Sequence, residues 1–279
     1  MSSAPLKTAV VGLGRISWSY HLPNITSNPG FELLCVVDPL AERLKEAESR
    51  FHAPKGYLTC EAMYLGEKPD LVVIASPTHL HKEQVLQAFR HGCDVFCEKP
   101  LALSLKEADE IIEGMQRSGR KLMVYQPHRA SPEAAAARHI LQTGWLGKIY
   151  MIRRTLTRFS RRNDWQAFRR NGGGMLNNYG AHFIDQLLFL NPGNIQSIRC
   201  DMRALVTCGD AEDFVKASLT AENGVLLDLE INMAAAHPTA PWYIAGLCGA
   251  AIRHPEEQAW DIRYFDPAEL PDLRPQEGL

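Results

Sequence analysis

Lys99 stands between a carboxylate and a proline, directly after a short apolar run. The run, residues 94–97, is predicted to form a buried strand, and an ammonium group cannot stay inside a sheet without partners. We therefore expect Lys99 to point into a cleft at the end of its strand, where open α/β sheets bind their ligands. A lysine in that position can donate a hydrogen bond to a substrate oxygen and stabilise negative charge that develops there.

A second group of residues suited to chemistry follows the glycine run 172–174. On a helix, Asn178, His182 and Asp185 fall at i, i+4 and i+7 and share one face. This polar stripe suits general acid–base catalysis by His182, with Asp185 orienting the imidazole ring. A structural histidine in the core fits the same pattern. A metal site is not expected, because no second cluster of His, Asp or Glu has ligand spacing.

Upstream, a glycine-rich turn follows a predicted strand at residues 7–11, in the order Gly12, Leu13, Gly14, Arg15, Ile16 and Ser17. A strand, such a turn and a helix start form the context that a dinucleotide fingerprint requires. Gly12 permits the tight turn, and Gly14 lets a pyrophosphate approach the backbone at the helix N-terminus. Ser17 replaces the third glycine of the fingerprint. A purely structural turn would have the same spacing.

The second predicted strand, residues 31–37, ends in Asp38. An acidic residue at this strand end can accept hydrogen bonds from a ribose 2′-OH, and it would repel a 2′-phosphate. This position therefore favours NAD and disfavours NADP. Capping of the predicted helix 40–51 by Asp38 is a structural alternative that is compatible with cofactor binding.

A third predicted strand, residues 71–75, is followed by small and hydrogen-bonding residues, namely Ser76, Pro77, Thr78 and His81. These residue types suit the nicotinamide and ribose of a cofactor, although His81 also fits as an ordinary first-turn helix residue. Further helical and strand patterns follow, and Ser104 with Glu107 forms a capping box. Strands that alternate with helices predict a doubly wound parallel sheet of the Rossmann type in residues 1–125.

Residues 126–279 have the pattern of an α+β domain with a large, mostly antiparallel open sheet. Strand-like runs cover residues 148–157, 195–206, 213–221, 225–232, 243–247 and 251–254. Asn223-Gly224 separates two of them, as in a hairpin. An open sheet face needs a partner, so we expect a homodimer or homotetramer. An arginine-rich loop, residues 158–170, is either solvated surface or a lid for an anionic or polyhydroxylated substrate.

The composition is that of an ordinary globular protein: 279 residues, 46% hydrophobic and 22% charged, with a formal net charge of −2. This charge gives no general attraction to nucleic acid or to anionic membranes, and no apolar run reaches the length of a membrane span. The seven cysteines are scattered without a CxxC pair. With no basic and apolar signal region at the N-terminus, these features predict a cytoplasmic protein with reduced thiols.

Taken together, the motifs resemble those of the glucose–fructose oxidoreductase/inositol dehydrogenase (Gfo/Idh/MocA) family over nearly the whole chain. The similarity rests on the glycine turn at 12–16, Asp38, Ser76-Pro77-Thr78 with His81, Glu98-Lys99-Pro100, and Gly180-x-His182-x-x-Asp185. It implies a Rossmann domain, an oligomerising open-sheet domain, a tightly held NAD(P), and a sugar or polyol substrate between the domains. It also implies a catalytic lysine at Lys99 and an acid–base histidine at His182.

These interpretations give a definite set of expected site residues. The expected catalytic residues are Lys99, His182, Asn178 and Asp185. The expected cofactor-binding residues are Gly12, Gly14, Arg15, Ile16, Asp38, Ser76, Pro77, Thr78, His81, Glu98, Lys99 and Gln126, and no metal ligand is expected.

The chain departs from the family pattern in two places. Many members have Asp where this chain has Asn178, and an amide cannot take a proton, so more of the acid–base role is expected of His182. Members usually continue beyond the counterpart of Leu279, so part of the second domain is expected to be missing or rebuilt.

The expected reaction interconverts a secondary alcohol and a ketone on a sugar, a polyol such as inositol, or a sugar derivative, by hydride transfer. The alternatives are a regulatory or sensor protein that binds NAD(P) with little catalysis, and a redox-assisted glycoside hydrolase or lyase.

Overall fold

The computed structural model describes residues 4–256 and 259–270. The chain divides into two units, Met1–Gln126 with Arg170–Gly172, and Pro127–Arg169 with Gly173–Leu279. The short segment Arg170–Gly172 thus joins the first unit, whereas the sequence pattern places it in the second domain. The reason is local packing, because a Cβ on Gly172 would lie 2.7 Å from Leu103 Cδ2 and 3.4 Å from Thr78 Cβ.

The first unit contains one six-stranded sheet. Its strands are β1 (Leu6–Val11), β2 (Phe31–Val37), β3 (Gly56–Tyr57), β4 (Leu71–Ile74), β5 (Asp94–Cys97) and β6 (Leu122–Val124). Their order is β3-β2-β1-β4-β5-β6, and every neighbouring pair is parallel. The predicted doubly wound parallel sheet is therefore confirmed. The two-residue β3 is too short for an alternation pattern to reveal.

Helices connect these strands: α1 (Leu22–Ser27), α2 (Ala41–Phe51), α3 (Cys60–Gly66), α4 (His81–Arg90) and α5 (Leu105–Ser118). A π-helical turn, Ser17–His21, precedes α1. The predicted capping box at α5 is confirmed, because the Ser104 hydroxyl accepts from Glu107 N at 3.2 Å. The Glu107 carboxylate in turn accepts from Leu103 N at 3.0 Å.

Both faces of this sheet are buried. Ala9 and Val11 belong to one apolar cluster, and Val10 between them belongs to the cluster on the other face. Because side chains alternate across a strand, a strand with helices on both faces has a continuous apolar sequence, and β1 shows that pattern.

The second unit contains a seven-stranded sheet. Its strands are β7 (Ile149–Thr157), β8 (Ile195–Arg203), β9 (Phe214–Ala221), β10 (Leu226–Asn232), β11 (Trp242–Gly246), β12 (Gly249–Arg253) and β13 (Trp260–Tyr264). The order is β13-β12-β11-β7-β10-β9-β8, in which β7 and β10 are parallel and the other neighbours antiparallel. The predicted α+β class with a mostly antiparallel sheet is confirmed, and β13 is a strand that the sequence pattern does not indicate.

Two helices, α6 (Pro132–Thr143) and α7 (Ala181–Leu190), contribute to the core on one face of this sheet. Ile140 of α6 and Phe183 of α7 share an apolar cluster with strand residues such as Leu229. The hairpin predicted at Asn223-Gly224 is confirmed, because β9 pairs antiparallel with β10 and Gly224 has a φ of 82°.

The seven cysteines are all free thiols, and Cys35, Cys60, Cys93 and Cys97 are buried. Burial raises the pKa of Cys35 to about 12 and that of Cys60 to about 11, so these thiols stay protonated at neutral pH. Among the described residues, none of the helices combines the length and apolar character that crossing a bilayer requires.

Candidate active site

The glycine-rich turn follows β1 in the middle of the first sheet. The strand order reverses at β1, because β2 and β3 lie on one side of it and β4, β5 and β6 on the other. Gly12 has a φ of 89°, and a Cβ on it would lie 2.7 Å from Ser76 N and 2.8 Å from the carbonyl carbon of Ala75. Only glycine fits there, because the loops after β1 and β4 touch through their backbones. Ser17 Oγ donates to Gly12 O at 2.5 Å, which fixes the turn from the helical side.

Gly14 has the opposite surroundings. A Cβ on it would meet no heavy atom of the protein within 4 Å, outside its own chain neighbours. The helical turn begins here, since Trp18 N donates to Gly14 O at 3.2 Å. Open space beside backbone at the start of a helix is the arrangement that accepts a pyrophosphate, so this turn fits a dinucleotide. Arg15, one residue on, is exposed.

Asp38 holds the glycine-rich turn. Its carboxylate is 2% exposed, and Oδ2 accepts from Leu13 N at 2.8 Å. Oδ1 accepts from Leu40 N at 2.9 Å, and Arg43 Nη1 lies 3.3 Å from Oδ2. Asp38 does not cap α2 directly, because the N-cap residue of α2 is Leu40, which makes no side-chain cap. Instead, the bond from Leu40 N to Asp38 closes a turn just before the helix.

The loop after β4 is tied to the loop that contains Lys99. His81, the first residue of α4, places Nε2 at 2.9 Å from Ser76 O and Nδ1 at 2.9 Å from Pro100 O. The imidazole is 1% exposed and lies between these two carbonyl oxygens, of which a neutral ring can donate to only one at a time. Burial lowers the pKa of His81, and the two carbonyl contacts act in the opposite direction. Thr78 is also buried, and Ser76 Oγ donates to Gln84 Oε1 at 2.5 Å.

Glu98 lies against a histidine that the sequence analysis does not single out. Its Oε1 is 2.8 Å from Nε2 of His21, and both side chains are buried. The imidazole packs edge-on against Phe96 and Tyr125, with ring centroids 5.8 and 5.4 Å away. The acid that precedes Lys99 is therefore anchored in the core, and Lys99 follows it half-buried. A histidine near the end of the first helical turn carries no sequence signal that would reveal this pairing.

Replacing Glu98 with alanine is expected to lower the free energy of unfolding by about 2 kcal/mol, because it removes a buried charge-assisted hydrogen bond. Glu98→Gln should recover part of the loss, since the amide oxygen can still accept from His21. Urea denaturation measures both variants, with Glu113→Ala on the exposed face of α5 as the control. Equal stability of Glu98→Ala and the control would contradict a structural contribution of the pair.

In the second unit, α7 is preceded by a π-helical turn, Leu176–Gly180. Ala181 N donates to Leu176 O across five residues, and Glu212 Oε1 accepts from Leu176 N at 3.1 Å. The predicted helix is present, but the part that contains Asn178 is π-helical and the part that contains His182 and Asp185 is α-helical. The wider turn offsets Asn178 from the α-helical register of His182 and Asp185.

The imidazole of His182 is 7% exposed and stacks on the ring of His128. The ring centroids are 4.0 Å apart and the ring planes differ by 6°. His128 lies in a short 3₁₀ turn, Pro127–Ala130, that precedes α6. Sequence reasoning does not identify His128, because the contact joins two separate elements.

Asp185 has a different partner from the expected one. Arg129 Nε donates to its Oδ2 at 2.7 Å and Nη2 donates to its Oδ1 at 2.6 Å. This two-pronged ion pair raises the pKa of Arg129 and occupies both carboxylate oxygens. The prediction that Asp185 orients the imidazole is therefore corrected: in this structure the carboxylate orients the guanidinium of Arg129.

Gln126, Ile16 and the arginine-rich loop complete the expected site. Gln126 follows β6 as the last residue of the main segment of the first unit, and Ile16 precedes the first helical turn. In the arginine-rich loop, Arg158 donates to the Tyr179 hydroxyl, Arg161 to Val206 O, and Arg162 to Asp164. These three guanidinium groups thus have structural partners within the second unit. Within the two described ranges, no group of three His, Cys, Asp or Glu is placed to hold a metal ion.

Comparison with known protein families gives matches to both halves of the chain. A model described as "Oxidoreductase family, NAD-binding Rossmann fold" matches residues 6–126. A model described as "GFO/IDH/MocA C-terminal domain" matches residues 134–251.

Curated relatives include a D-glucoside 3-dehydrogenase of Escherichia coli, 28% identical over 193 residues, which are 68% of this chain and 55% of the relative. A scyllo-inositol 2-dehydrogenase (NAD(+)) of Bacillus subtilis is 33% identical over 144 residues, 51% of this chain and 42% of the relative. The chain spans about half the length of the curated relatives it matches.

Among solved structures, an NAD-binding protein from Listeria innocua is similar, with a TM-score of 0.85 and 27% sequence identity. The match covers 92% of this chain and 75% of the Listeria innocua chain.

Proposed function

The chain belongs to the Gfo/Idh/MocA family of NAD-binding oxidoreductases, and we propose that it interconverts a secondary alcohol and a ketone on a sugar or polyol. The observation that carries the proposal is the end of β5, where a half-buried lysine follows a glutamate anchored in the core. A lysine held in this way at the carboxyl end of a strand, in the same parallel sheet as the glycine-rich turn, suits stabilisation of a developing alkoxide.

The residues at the carboxyl edge of the first sheet would hold the cofactor. Gly12 and Gly14 suit the pyrophosphate, Asp38 the ribose, and the loops that contain Ser76 and Lys99 the nicotinamide. When bound, the cofactor supplies the hydride acceptor or donor. The protein then has to orient the substrate carbon, exclude water and handle one proton.

We assign the transfer of that proton to His182. In the oxidation direction the neutral imidazole takes the hydroxyl proton. Asn178 can bind a neighbouring hydroxyl but cannot take a proton. Asp185 contributes through Arg129, whose guanidinium it holds in place for a polar substrate group.

The buried carboxylate of Asp38 supports a preference for NAD, because a 2′-phosphate placed beside it would meet a like charge. Asp38→Asn keeps an oxygen for Leu13 N and removes the charge. We expect the ratio of kcat/KM for NADP to that for NAD to rise roughly tenfold. Steady-state kinetics with both cofactors measures the ratio, with the exposed Asp109→Asn as the control. An unchanged ratio in Asp38→Asn would contradict this assignment.

The proposed reaction is tested by incubating the protein with NAD and a panel of glucosides, free sugars, inositols and sugar nucleotides while following the absorbance of the reduced nicotinamide. Substrate-dependent NADH formation is expected. Cofactor binding without turnover on any compound would instead indicate a sensor, a function that Asn178 favours by replacing a carboxylate. Cleavage of a glycoside without net NADH would indicate a redox-assisted hydrolase or lyase.

Self-association is a separate part of the proposal. β8 is an edge strand that is exposed from residue 196 to 203, and one face of the sheet is lined by Arg153, Lys216, Asp228 and Glu230. Such an edge and face suit pairing with a second copy into a homodimer or homotetramer. Sedimentation velocity distinguishes these states from a monomer.

A further inference from the structure

An arginine is buried beneath the helix that contains His182. Arg154 on β7 is 7% exposed, and its guanidinium carbon lies 4.0 Å from the ring centroid of Phe183 and 4.7 Å from that of Trp242. Burial lowers the pKa of Arg154 to about 10, and Glu133 at 3.7 Å compensates part of the charge. A buried arginine costs desolvation energy, so its contacts are expected to contribute something that an apolar residue could not.

The contacts of Arg154 show what that contribution is. Nη1 donates to the carbonyl groups of Thr155 and Pro241, each at 2.9 Å, so the guanidinium is fixed by backbone. Nε then donates to Oε1 of Gln186 at 3.2 Å. Because arginine can only donate, this contact decides which end of the Gln186 amide is the oxygen.

With its oxygen turned to Arg154, Gln186 has its amide nitrogen available for a second bond. Nε2 donates to the backbone carbonyl of His128 at 2.7 Å, and Gln186 is 1% exposed. The amide therefore joins β7 to the 3₁₀ turn at Pro127–Ala130. The ring of His128 in that turn lies parallel to the ring of His182 at 4.0 Å.

We propose that Arg154, Gln186 and His128 form a positioning chain that fixes the ring of His182 for proton transfer, an inference that rests on the function proposed above. The torsion that rotates an imidazole about its Cβ–Cγ bond is broad in the absence of packing. A parallel ring against one face restricts that rotation, and thereby fixes the plane in which both ring nitrogens lie. Since His128 could itself move, the bond from Gln186 to its carbonyl and the anchored Arg154 are what hold the platform in place.

Three variants test whether His128 positions the ring of His182 or merely packs against it. His128→Ala removes the platform and should lower kcat roughly tenfold to a hundredfold, with KM for the cofactor unchanged, because a small misplacement of a reacting group slows the chemical step. His128→Phe restores a flat ring and should recover most of kcat. His139→Ala, an exposed histidine on α6, is the matched control and should keep the activity of the wild type.

Gln186→Glu tests the middle of the chain without emptying the core. A glutamate can still accept from Arg154, and their opposite charges favour the contact, but it cannot donate to the carbonyl of His128 as a carboxylate. We expect a folded protein with a lowered melting temperature, because a buried hydrogen bond is lost, and with a lowered kcat. A residue that merely packs α7 onto β7 would give wild-type kcat in this variant.

An NMR readout distinguishes failure of this inference from failure of the proposed function. The ring Cε1–H resonance of His182, assigned by its loss in His182→Gln, should carry a ring-current shift from His128. That resonance should move in His128→Ala and Gln186→Glu and stay in place in His139→Ala, whether or not any substrate is turned over.

If the resonance does not move in His128→Ala and Gln186→Glu, the proposed positioning chain is wrong. A moved resonance in an active enzyme whose kcat is unchanged overturns its positioning role. If the wild type is inactive on every substrate, the proposed function is wrong. The resonance shifts then test only whether His128 and Gln186 fix the ring of His182.

Discussion

Lys99→Ala is expected to lower turnover by about 10²-fold or more while cofactor binding is retained, in line with the loss of one preorganised donor to a developing oxyanion. The backbone that positions Lys99 is held from both sides. The preceding Glu98 is paired with His21, and the carbonyl of the following Pro100 is bound by His81. Since the variant leaves these anchors in place, its effect should fall on the chemical step rather than on folding.

Fluorescence titration with NADH and steady-state kinetics on a substrate found in the panel measure the two quantities separately. Lys106→Ala, which removes an exposed lysine on α5, is the matched control and should behave as the wild type. Turnover by Lys99→Ala at the wild-type rate would remove Lys99 from the mechanism.

The second large effect is expected at Gly12. An alanine there would have to adopt a φ of 89° and place its Cβ 2.7 Å from a backbone nitrogen of the next loop. Backbone strain and overlap with backbone atoms combine, so we expect Gly12→Ala to lose on the order of 3 kcal/mol of folding free energy, and to lose cofactor binding.

Gly14→Ala separates cofactor binding from stability in the same turn. The Cβ would meet no protein atom within 4 Å, so unfolding free energy should change by less than about 0.5 kcal/mol. The same Cβ would stand where a pyrophosphate approaches the helix start, and we expect NADH affinity to fall about tenfold or more. Urea denaturation and NADH titration of both variants check this pair. Wild-type affinity in Gly14→Ala would show that the dinucleotide does not bind along this turn.

Most of the first unit could be predicted from the sequence, because the sequence signals for its strands, caps and turns are local. Apolar runs such as residues 71–74 form buried parallel strands, Ser104 with Glu107 caps α5, and Gly12 is required where the loops after β1 and β4 touch. Each of these signals depends on a backbone period or a cap that a few neighbouring residues define.

The partners of the expected site residues could not be predicted in the same way. Glu98 pairs with His21, Asp185 with Arg129, and His182 stacks on His128, and each pair joins elements that are far apart in the sequence. Helical spacing indicated that Asp185 would orient the imidazole, but a guanidinium from another element formed the stronger two-pronged contact. The π-helical turn before α7 was equally hidden, because its extra residue leaves the apolar pattern of Ala181–Leu190 intact.

In the proposed reaction a hydride passes directly between a carbinol carbon and the nicotinamide. We would incubate the protein with NAD and with glucosides or inositols that carry deuterium on their carbinol carbons, and determine the mass of the reduced cofactor in single-turnover mixtures. We expect NADH that contains one deuterium atom in the wild type, and almost none in Lys99→Ala over the same time. Consumption of a labelled substrate without deuterium in the nicotinamide would contradict it.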